Sequence, residues 1–297
     1  MVLDSIIIAA IAKQLKLDAD EIIVQALKTE VLVSDATNKF LVYSARNKQA
    51  KAFVLLSTTK NPNAIKSGHT KLCGLANHVG TKLAQNLLMP LEIGESDGLS
   101  YSISEYHRPL HTKYFLKQLD NWRVRASLVN WVIDVAKATK ANASLDEIET
   151  QFTQPLMALS QANGVKQDYK NSIIEAIETI NNGTWLPYFV GAHNDLWRGN
   201  VLSSNNTKFF LIDWDGVTLR GYAFYDLVRV AGSFNLSKAK FQVALQQYCA
   251  VMGCDKKQAK YYLISAFAFL YADLGDWQYE RFLILLNDCM DYFEMNA

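Results

Sequence analysis

Between Val190 and Gly216 the chain reads VGAHNDLWRGNVLSSNNTKFFLIDWDG, and this segment is the most informative part of the sequence. Asp195 follows an apolar run and lies in a stretch that has no helical period. Asn200 comes five residues later, and Asp213 ends a short apolar run that has the composition of a strand. The spacing therefore sets two carboxylates and one amide along a predicted loop and strand.

A β-hairpin between Asn200 and Asp213, turning at 203–207, would bring the two ends of this segment together. An amide oxygen and a carboxylate would then lie side by side, and both are hard oxygen ligands that Mg²⁺ accepts together with phosphate oxygens. Asp195 would lie near the metal and could accept a proton from a hydroxyl group, which suits phosphoryl transfer. The alternative is that Asp195 only forms a turn, a common role of Asp in loops.

The composition is that of a globular protein. The chain has 297 residues, 50% of them hydrophobic, which is enough for one large domain or two modest lobes. The net charge of +1 gives no electrostatic reason to expect a nucleic-acid or a membrane partner. The sequence leaves the oligomeric state open.

The four cysteines and the N-terminal apolar run both indicate a cytoplasmic protein. The cysteines are too sparse for a disulfide framework and none forms a CxxC pair, so buried free thiols are expected. The apolar run at 6–11 is too short to span a bilayer and has no basic leader. It predicts instead a helix that is capped by Asp4 or Ser5 and runs to about Leu17.

The pattern along the chain predicts an α+β fold with two lobes, 1–105 and 106–297. In the first lobe, strands are predicted at 21–27, 39–44, 52–58 and 99–104, with a helix at 65–86. In the second lobe, helices are predicted at 124–140, 145–162, 168–181, 239–251, 257–274 and 277–293, interrupted by one strand at 208–213. The segment 104–111 would be a hinge, and a cleft between lobes is a natural ligand site.

The segment 193–200, HNDLWRGN, and the later pair Ile212 and Asp213 resemble known catalytic and metal loops. The pattern HxDxxxxN followed by Ile-Asp is similar to that of the protein-kinase-like phosphotransferases, within them the aminoglycoside phosphotransferase and choline kinase families. The DLWRGN core is also similar to fructosamine kinases. This resemblance implies a protein-kinase-like fold, with a small antiparallel β-sheet lobe and a larger, mostly helical lobe. It also implies a kinase that uses ATP or GTP with Mg²⁺ to phosphorylate a hydroxyl of a small molecule.

The resemblance implies a role for each matching residue. Asp195 would be the catalytic base, and Asn200 and Asp213 would bind Mg²⁺. His193 would brace the loop from within. Asp226 matches an Asp that supports the catalytic loop from the start of a helix, and it could cap that helix as well.

The first lobe resembles the kinase families more weakly. The stretch from Thr37 resembles the opening of the second strand in choline kinases, where backbone N–H groups cover the nucleotide phosphates. Asp35 stands where a glycine would allow close approach of the backbone, and an ordinary hairpin turn explains the stretch equally well. The hinge would contact the adenine through its backbone. The candidate nucleotide-binding residues are Thr37, Asn38, Lys39, Glu105 and Tyr106.

One expected pair is absent from the first lobe. Related kinases carry a basic residue on the third strand and a Glu on the following helix, but 53–57 has no basic residue and no acidic residue occurs from 36 to 91. Two interpretations stay open. Lys66 or Lys71 could reach the phosphates from the helix, or the protein could be a catalytically weak or inactive nucleotide-binding or regulatory relative.

Acidic and aromatic residues near the C-terminus favour an amine-bearing substrate through ion pairing and cation–π contact. The substrate would be an aminoglycoside, a choline-like alcohol or an aminated sugar. The alternative is an amphipathic helix with solvated acids and core aromatics. Asp215 could hold a second metal ion or the substrate, or could simply be solvated. The candidate substrate-binding residues are Asp215, Asp276, Trp277 and Glu280.

Overall fold

The computed structural model describes residues 3–27, 37–204, 209–275 and 277–297. The chain divides into two compact units. The first unit contains Met1–Gly74, Gln85–Pro109 and Leu202–Asp215, and the second contains Leu75–Ala84, Leu110–Val201 and Gly216–Ala297. The predicted boundary at 105/106 stays a prediction.

The first unit is built on a five-stranded antiparallel sheet in the order β1-β2-β3-β5-β4. The strands are β1 (Ile22–Ala26), β2 (Thr37–Ser44), β3 (Ala50–Ser57), β4 (Glu92–Ser96) and β5 (Leu99–Glu105). Four of them were predicted, whereas β4 was missed because its sequence, EIGES, has little apolar content. Charged residues on an edge strand are common, since they discourage pairing with other chains.

Helix α1 (Ser5–Leu15) supplies the second layer of this unit. The sheet residues that face it alternate with residues on the open face, as expected of strands with one buried side. The shared core consists of Leu3, Ile7, Ala10, Ile11, Phe40, Val42, Ala52, Val54, Leu56, Tyr101 and Ile103.

Asp4 caps α1, which decides between the two predicted caps. Its carboxylate accepts hydrogen bonds from the N–H groups of Ile6 and Ile7, at 2.7 and 3.0 Å, and from the hydroxyl of Ser96. The Ser96 hydroxyl, together with the two N–H groups, lowers the pKa of Asp4. The helix ends at Leu15, where Lys16 takes the left-handed conformation, two residues earlier than predicted.

The predicted helix at 65–86 is two helices, α2 (Ala64–Val79) and α3 (Thr81–Ala84). Gly80 separates them with φ of 74°, a backbone conformation that favours glycine. The predicted hairpin is present as β8 (Val201–Ser203) and β9 (Phe209–Leu211), which pair in a two-stranded sheet. Asn86 anchors it, because its side-chain amide donates to the carbonyl of Phe209 at 3.0 Å.

The second unit is mostly helical. Its longer helices are α4 (Tyr114–Thr139), α6 (Gln154–Gln161), α7 (Gln167–Asn181), α8 (Tyr225–Ser233), α9 (Lys238–Met252), α10 (Lys256–Ala272) and α11 (Tyr279–Asn296). The short helix α5 (Leu145–Ile148) continues through one π-helical turn into α6. Within the described residues, no helix is long and apolar enough to cross a membrane. The fully buried large side chains are Phe152, Tyr169, Phe189, Phe224, Phe234, Phe241, Tyr261, Tyr262, Phe267 and Phe282.

The expectation of a single strand in this part of the chain was wrong. A three-stranded antiparallel sheet, in the order β10-β7-β6, consists of β6 (Ala141–Asn142), β7 (Tyr188–Ala192) and β10 (Thr218–Tyr222). Strand β7 was not recognised because four of its five residues are buried, so it has no alternation. Helix α4 also begins ten residues before the predicted Val124, because its first turns expose Tyr114, Phe115 and Trp122 and hide the apolar period.

Asp4→Ala is expected to lower the free energy of unfolding by about 1 kcal/mol, because the first-turn N–H groups of α1 lose their acceptor. The pKa of Asp4 is lowered in the folded state, so its contribution is present above the ordinary value of 3.8 and is lost as pH falls through the lowered pKa. Urea unfolding at neutral pH and below pH 3.8 measures both effects.

Asp18→Ala is the matched control. Asp18 precedes the short helix Ala19–Glu21, is exposed, and makes no capping hydrogen bond. An equal loss of stability in the two variants would contradict the assignment of Asp4 as a cap.

Candidate active site

Strand β7 carries the chain from the core of the second unit to the surface. Its last residues are buried, and His193 directly after it is 1% exposed. Asn194 then takes φ of 62°, in the left-handed region that Asn tolerates better than most residues. The turn delivers Asp195 with a side chain that is 49% exposed. A buried strand thus presents one carboxylate to solvent on a fixed loop.

Asp226 holds this loop from α8. Its two carboxylate oxygens accept the N–H groups of His193, at 2.7 Å, and of Asn194, at 3.0 Å. Burial raises the pKa of Asp226, and His193, the two N–H donors and Arg229 oppose that rise. The loop that carries Asp195 is therefore tied to the start of a helix by one buried and one partly buried hydrogen bond.

Asn200 lies against Asp195. It ends a short 3₁₀ turn, is 6% exposed, and donates from Nδ2 to the carbonyl oxygen of Asp195 at 2.8 Å and to the carboxylate oxygen Oδ2 at 2.9 Å. The amide nitrogen is engaged on Asp195, so Oδ1 is the atom of Asn200 that a cation would meet. Asn200 thus fixes the orientation of the Asp195 carboxylate, and its own amide oxygen stays available to a cation.

Arg229 is a site residue that the sequence analysis missed. Its Nη2 lies 3.3 Å from Oδ1 of Asp195, and its side chain is mostly buried. Arg229 stands three residues after Asp226 on α8, so both side chains lie on one face of the helix. That spacing was the available signal, because a helix that supports the loop through Asp226 presents its next turn to the same loop.

Arg198 secures the 3₁₀ turn that ends at Asn200. Its guanidinium donates from Nε to Oδ1 of Asn121 at 3.1 Å and from Nη2 to the carbonyl oxygen of His111. The buried Asp120 in turn accepts the N–H of His111 at 2.7 Å. Arg198 therefore links the DLWRGN segment to the beginning of α4.

In the first unit, Asp213 and Asp215 follow β9. Asp213 is exposed and takes φ of 70°, while Trp214 between the two acids is buried. Lys71 on α2 donates from Nζ to the carbonyl oxygen of Asp215. Partial removal of the Asp215 carboxyl from water raises its pKa, and the negative charge of Asp213 raises it further. The positive charges of Lys71 and Lys39 oppose this rise.

The predicted nucleotide-binding residues lie on the two strands that flank β3, at opposite ends of the sheet. Thr37, Asn38 and Lys39 begin β2 and are half-buried. Glu105 ends β5 with its carboxylate 3.7 Å from Nε2 of His107. Tyr106 follows, and its N–H donates to the carbonyl oxygen of Lys51 at 3.0 Å, so the sheet itself uses that hinge donor.

The predicted substrate-binding residues are only partly described. Trp277 is half-exposed and Glu280 is exposed in the first turn of α11, whereas Asp276 lies outside the described residues. Neighbouring acids and aromatics have other partners. Asp291 accepts from Nζ of Lys166 at 2.7 Å, and the aromatic rings at 282 and 293 are buried.

Among the described residues no group of three His, Cys, Asp or Glu side chains could hold a metal ion. The two predicted metal ligands lie in different units, Asn200 in the second and Asp213 in the first. That they bind one magnesium ion stays a prediction.

Solved structures resemble the chain, although no protein family model matches it and no curated protein sequence is recognisably similar. The aminoglycoside phosphotransferase APH(4)-Ia is 13% identical with a TM-score of 0.58, and the match covers 98% of each chain. The choline kinase LicA from Streptococcus pneumoniae is 12% identical with a TM-score of 0.54, again over 98% of each chain. The chain therefore has the protein-kinase-like fold of these phosphotransferases.

Proposed function

We propose that the protein is a small-molecule kinase that transfers the terminal phosphoryl group of ATP or GTP to a hydroxyl group. The observation that carries the proposal is the environment of Asp195. Its half-exposed carboxylate is held by Asn200 and Arg229 on a loop that the buried Asp226 fixes through two hydrogen bonds. A carboxylate that only formed a turn would not need this support.

Asp195 acts as the catalytic base in this proposal. The hydrogen bond from Asn200 and the charge of Arg229 keep the carboxylate in one orientation, and a general base must hold its oxygen within hydrogen-bond reach of the proton that it takes.

Asn200 and Asp213 are the proposed magnesium ligands. They stand at the two ends of the β8–β9 hairpin, directly before β8 and two residues after β9, which supports a shared role. Bound Mg²⁺ would neutralise charge on the phosphate oxygens. The backbone of Thr37, Asn38 and Lys39 would contact the phosphates, and the backbone near Glu105 and Tyr106 the base.

The acceptor in this proposal is a small alcohol that bears an amine, such as an aminoglycoside, a choline-like alcohol or an aminated sugar. Trp277 and Glu280 are accessible to such a ligand and combine an aromatic face with a negative charge. The proteins of similar fold include an aminoglycoside phosphotransferase and a choline kinase, which favours this substrate class as the first to test.

A second candidate is a nucleotide-binding protein with little or no turnover. The lack of the usual lysine and glutamate pair favours this candidate. The one basic residue of β3, Lys51, lies near the start of the strand and not in its middle, and α2 has no acidic residue. ATP binding without phosphoryl transfer to any member of a broad panel of amines, sugars and alcohols would support this candidate over the kinase.

Asp195→Asn is expected to lower kcat by about 10²- to 10⁴-fold while the affinity for MgATP changes little, because the amide keeps the shape of the carboxylate and removes the proton acceptor. ADP release in the presence of Mg²⁺ and the panel of alcohols measures kcat, and calorimetry measures MgATP binding. Asp168→Asn is the matched control, an exposed acid in the first turn of α7. Undiminished turnover by the Asp195 variant would contradict the assignment.

Asp226→Ala is expected to lower the free energy of unfolding by about 3 kcal/mol, because the N–H groups of His193 and Asn194 would be buried without an acceptor. Amide hydrogen exchange at these two residues should accelerate more than elsewhere in the unit. In variant protein that remains folded, kcat should fall more than the KM for ATP rises, since the base is displaced and the nucleotide site is not. Unchanged exchange at both amides would show that Asp226 does not hold the loop.

A further inference from the structure

Residues 53–57 of β3 carry no basic side chain, although the proposed kinase needs a cation beside the nucleotide phosphates. On β3 the open-face residues Phe53 and Leu55 are apolar, and α2 has no acidic residue. Phosphoryl transfer depends on positive charge at the phosphates. The inference below rests on the proposed function and concerns which side chains supply that charge.

Helix α2 lies directly on the segment after β9. A Cβ added at Gly68 would come 3.0 Å from Oδ1 of Asp215, so helix and loop approach each other as closely as a glycine allows. Lys71 stands three residues later on the same helix face. It donates from Nζ to the carbonyl oxygen of Asp215, which brings its ammonium group to the segment that carries Asp213.

Lys66 and Lys71 differ in their partners, which separates the two lysines that the sequence offered. Lys66 pairs with the carboxylate of Glu95. Within the described residues Lys71 makes no ion pair, and its ammonium group is exposed. One of its three N–H donors is used on a backbone carbonyl, so two remain for an anionic ligand.

Lys39 lies on the open face of the sheet. It lies opposite Leu55 in the register of β2 and β3, on the face away from α1, because its neighbour Phe40 is in the core with α1. Helix α2 begins at the same end of the sheet, because the N–H of Ile65 donates to the hydroxyl of Ser57 at 3.3 Å and Ser57 pairs with Thr37. Lys39 and Lys71 therefore come from a strand and a helix that adjoin at this end of the sheet.

We propose that the side chains of Lys39 and Lys71 together bind the phosphates of the nucleotide, in place of a single lysine in the middle of β3. Their two positive charges balance the two negative charges of Asp213 and Asp215. A divalent ion at the proposed ligands Asn200 and Asp213 would then leave the group net positive, which suits a polyphosphate. Helix α2 corresponds to the helix that carries a glutamate in related kinases, and here it carries Lys71.

The proposal is tested by measuring the affinities for MgATP and for adenosine by calorimetry. The proteins to compare are the wild type and the variants Lys39→Ala, Lys71→Ala and Lys66→Ala. We expect each of the first two variants to bind MgATP about 10-fold or more weakly, because each loses a charge-assisted hydrogen bond to phosphate, and to bind adenosine as the wild type does. Lys66→Ala should bind both ligands as the wild type does. Lys39→Arg and Lys71→Arg should keep most of the MgATP affinity, since each keeps the charge.

Three results would overturn the pair. In the first, the wild type binds and turns over ATP, and either Lys39→Ala or Lys71→Ala binds MgATP as tightly as the wild type does. The proposed pair would then be wrong, and the kinase assignment would stand. Equal losses for adenosine and MgATP would show a damaged site and not a lost phosphate contact. A wild-type protein that binds no MgATP would overturn the proposed function and the pair together.

Discussion

The hydrogen bonds from His193 and Asn194 to the buried carboxylate of Asp226 are the constraint on which the catalytic loop depends. A buried carboxylate is costly unless it is well paired, and here it is offset by two backbone donors and by the nearby charge of Arg229. Phe224 contributes to the arrangement with φ of 68°, an unusual conformation for a bulky residue, held by complete burial against Tyr248. That turn starts α8 where Asp226 and Arg229 both face the loop.

Much of the fold could be predicted because the first unit obeys simple patterns. Strands β2, β3 and β5 have one face on α1, so residues in the core alternate with residues on the open face. The start of α1 was predicted to within one residue, with Asp4 or Ser5 as the cap. Strand β7 could not be recognised, since burial on both faces removes the period. The first turns of α4 fail for the opposite reason: their large apolar residues point to solvent, and a period based on burial does not include them.

The candidate site was predictable only where its residues are close in sequence. Asp195 and Asn200 share one loop, so the sequence placed both near one predicted metal site, and the structure brings them into contact at 2.9 Å. Arg198 and Arg229 have partners 77 and 34 residues away. For Arg198 nothing local distinguishes it from a surface arginine, and for Arg229 the one signal is its spacing from Asp226. Long-range polar contacts of this kind depend on how helices are placed, which hydrophobic periodicity fixes only after the whole unit is assembled.

The missing Lys–Glu pair has a physical explanation that does not require loss of function. Removing one member of such a pair would leave a buried charge without a partner, whereas removing both is often neutral for stability. The open face of β3 is apolar accordingly, and the chain has no acid from 36 to 91 that could compete for a lysine on α2. Lys71 donates instead to the carbonyl oxygen of Asp215. In the proposed arrangement Lys39 and Lys71 share the positive charge, while the loop around Asp195 keeps its own internal support.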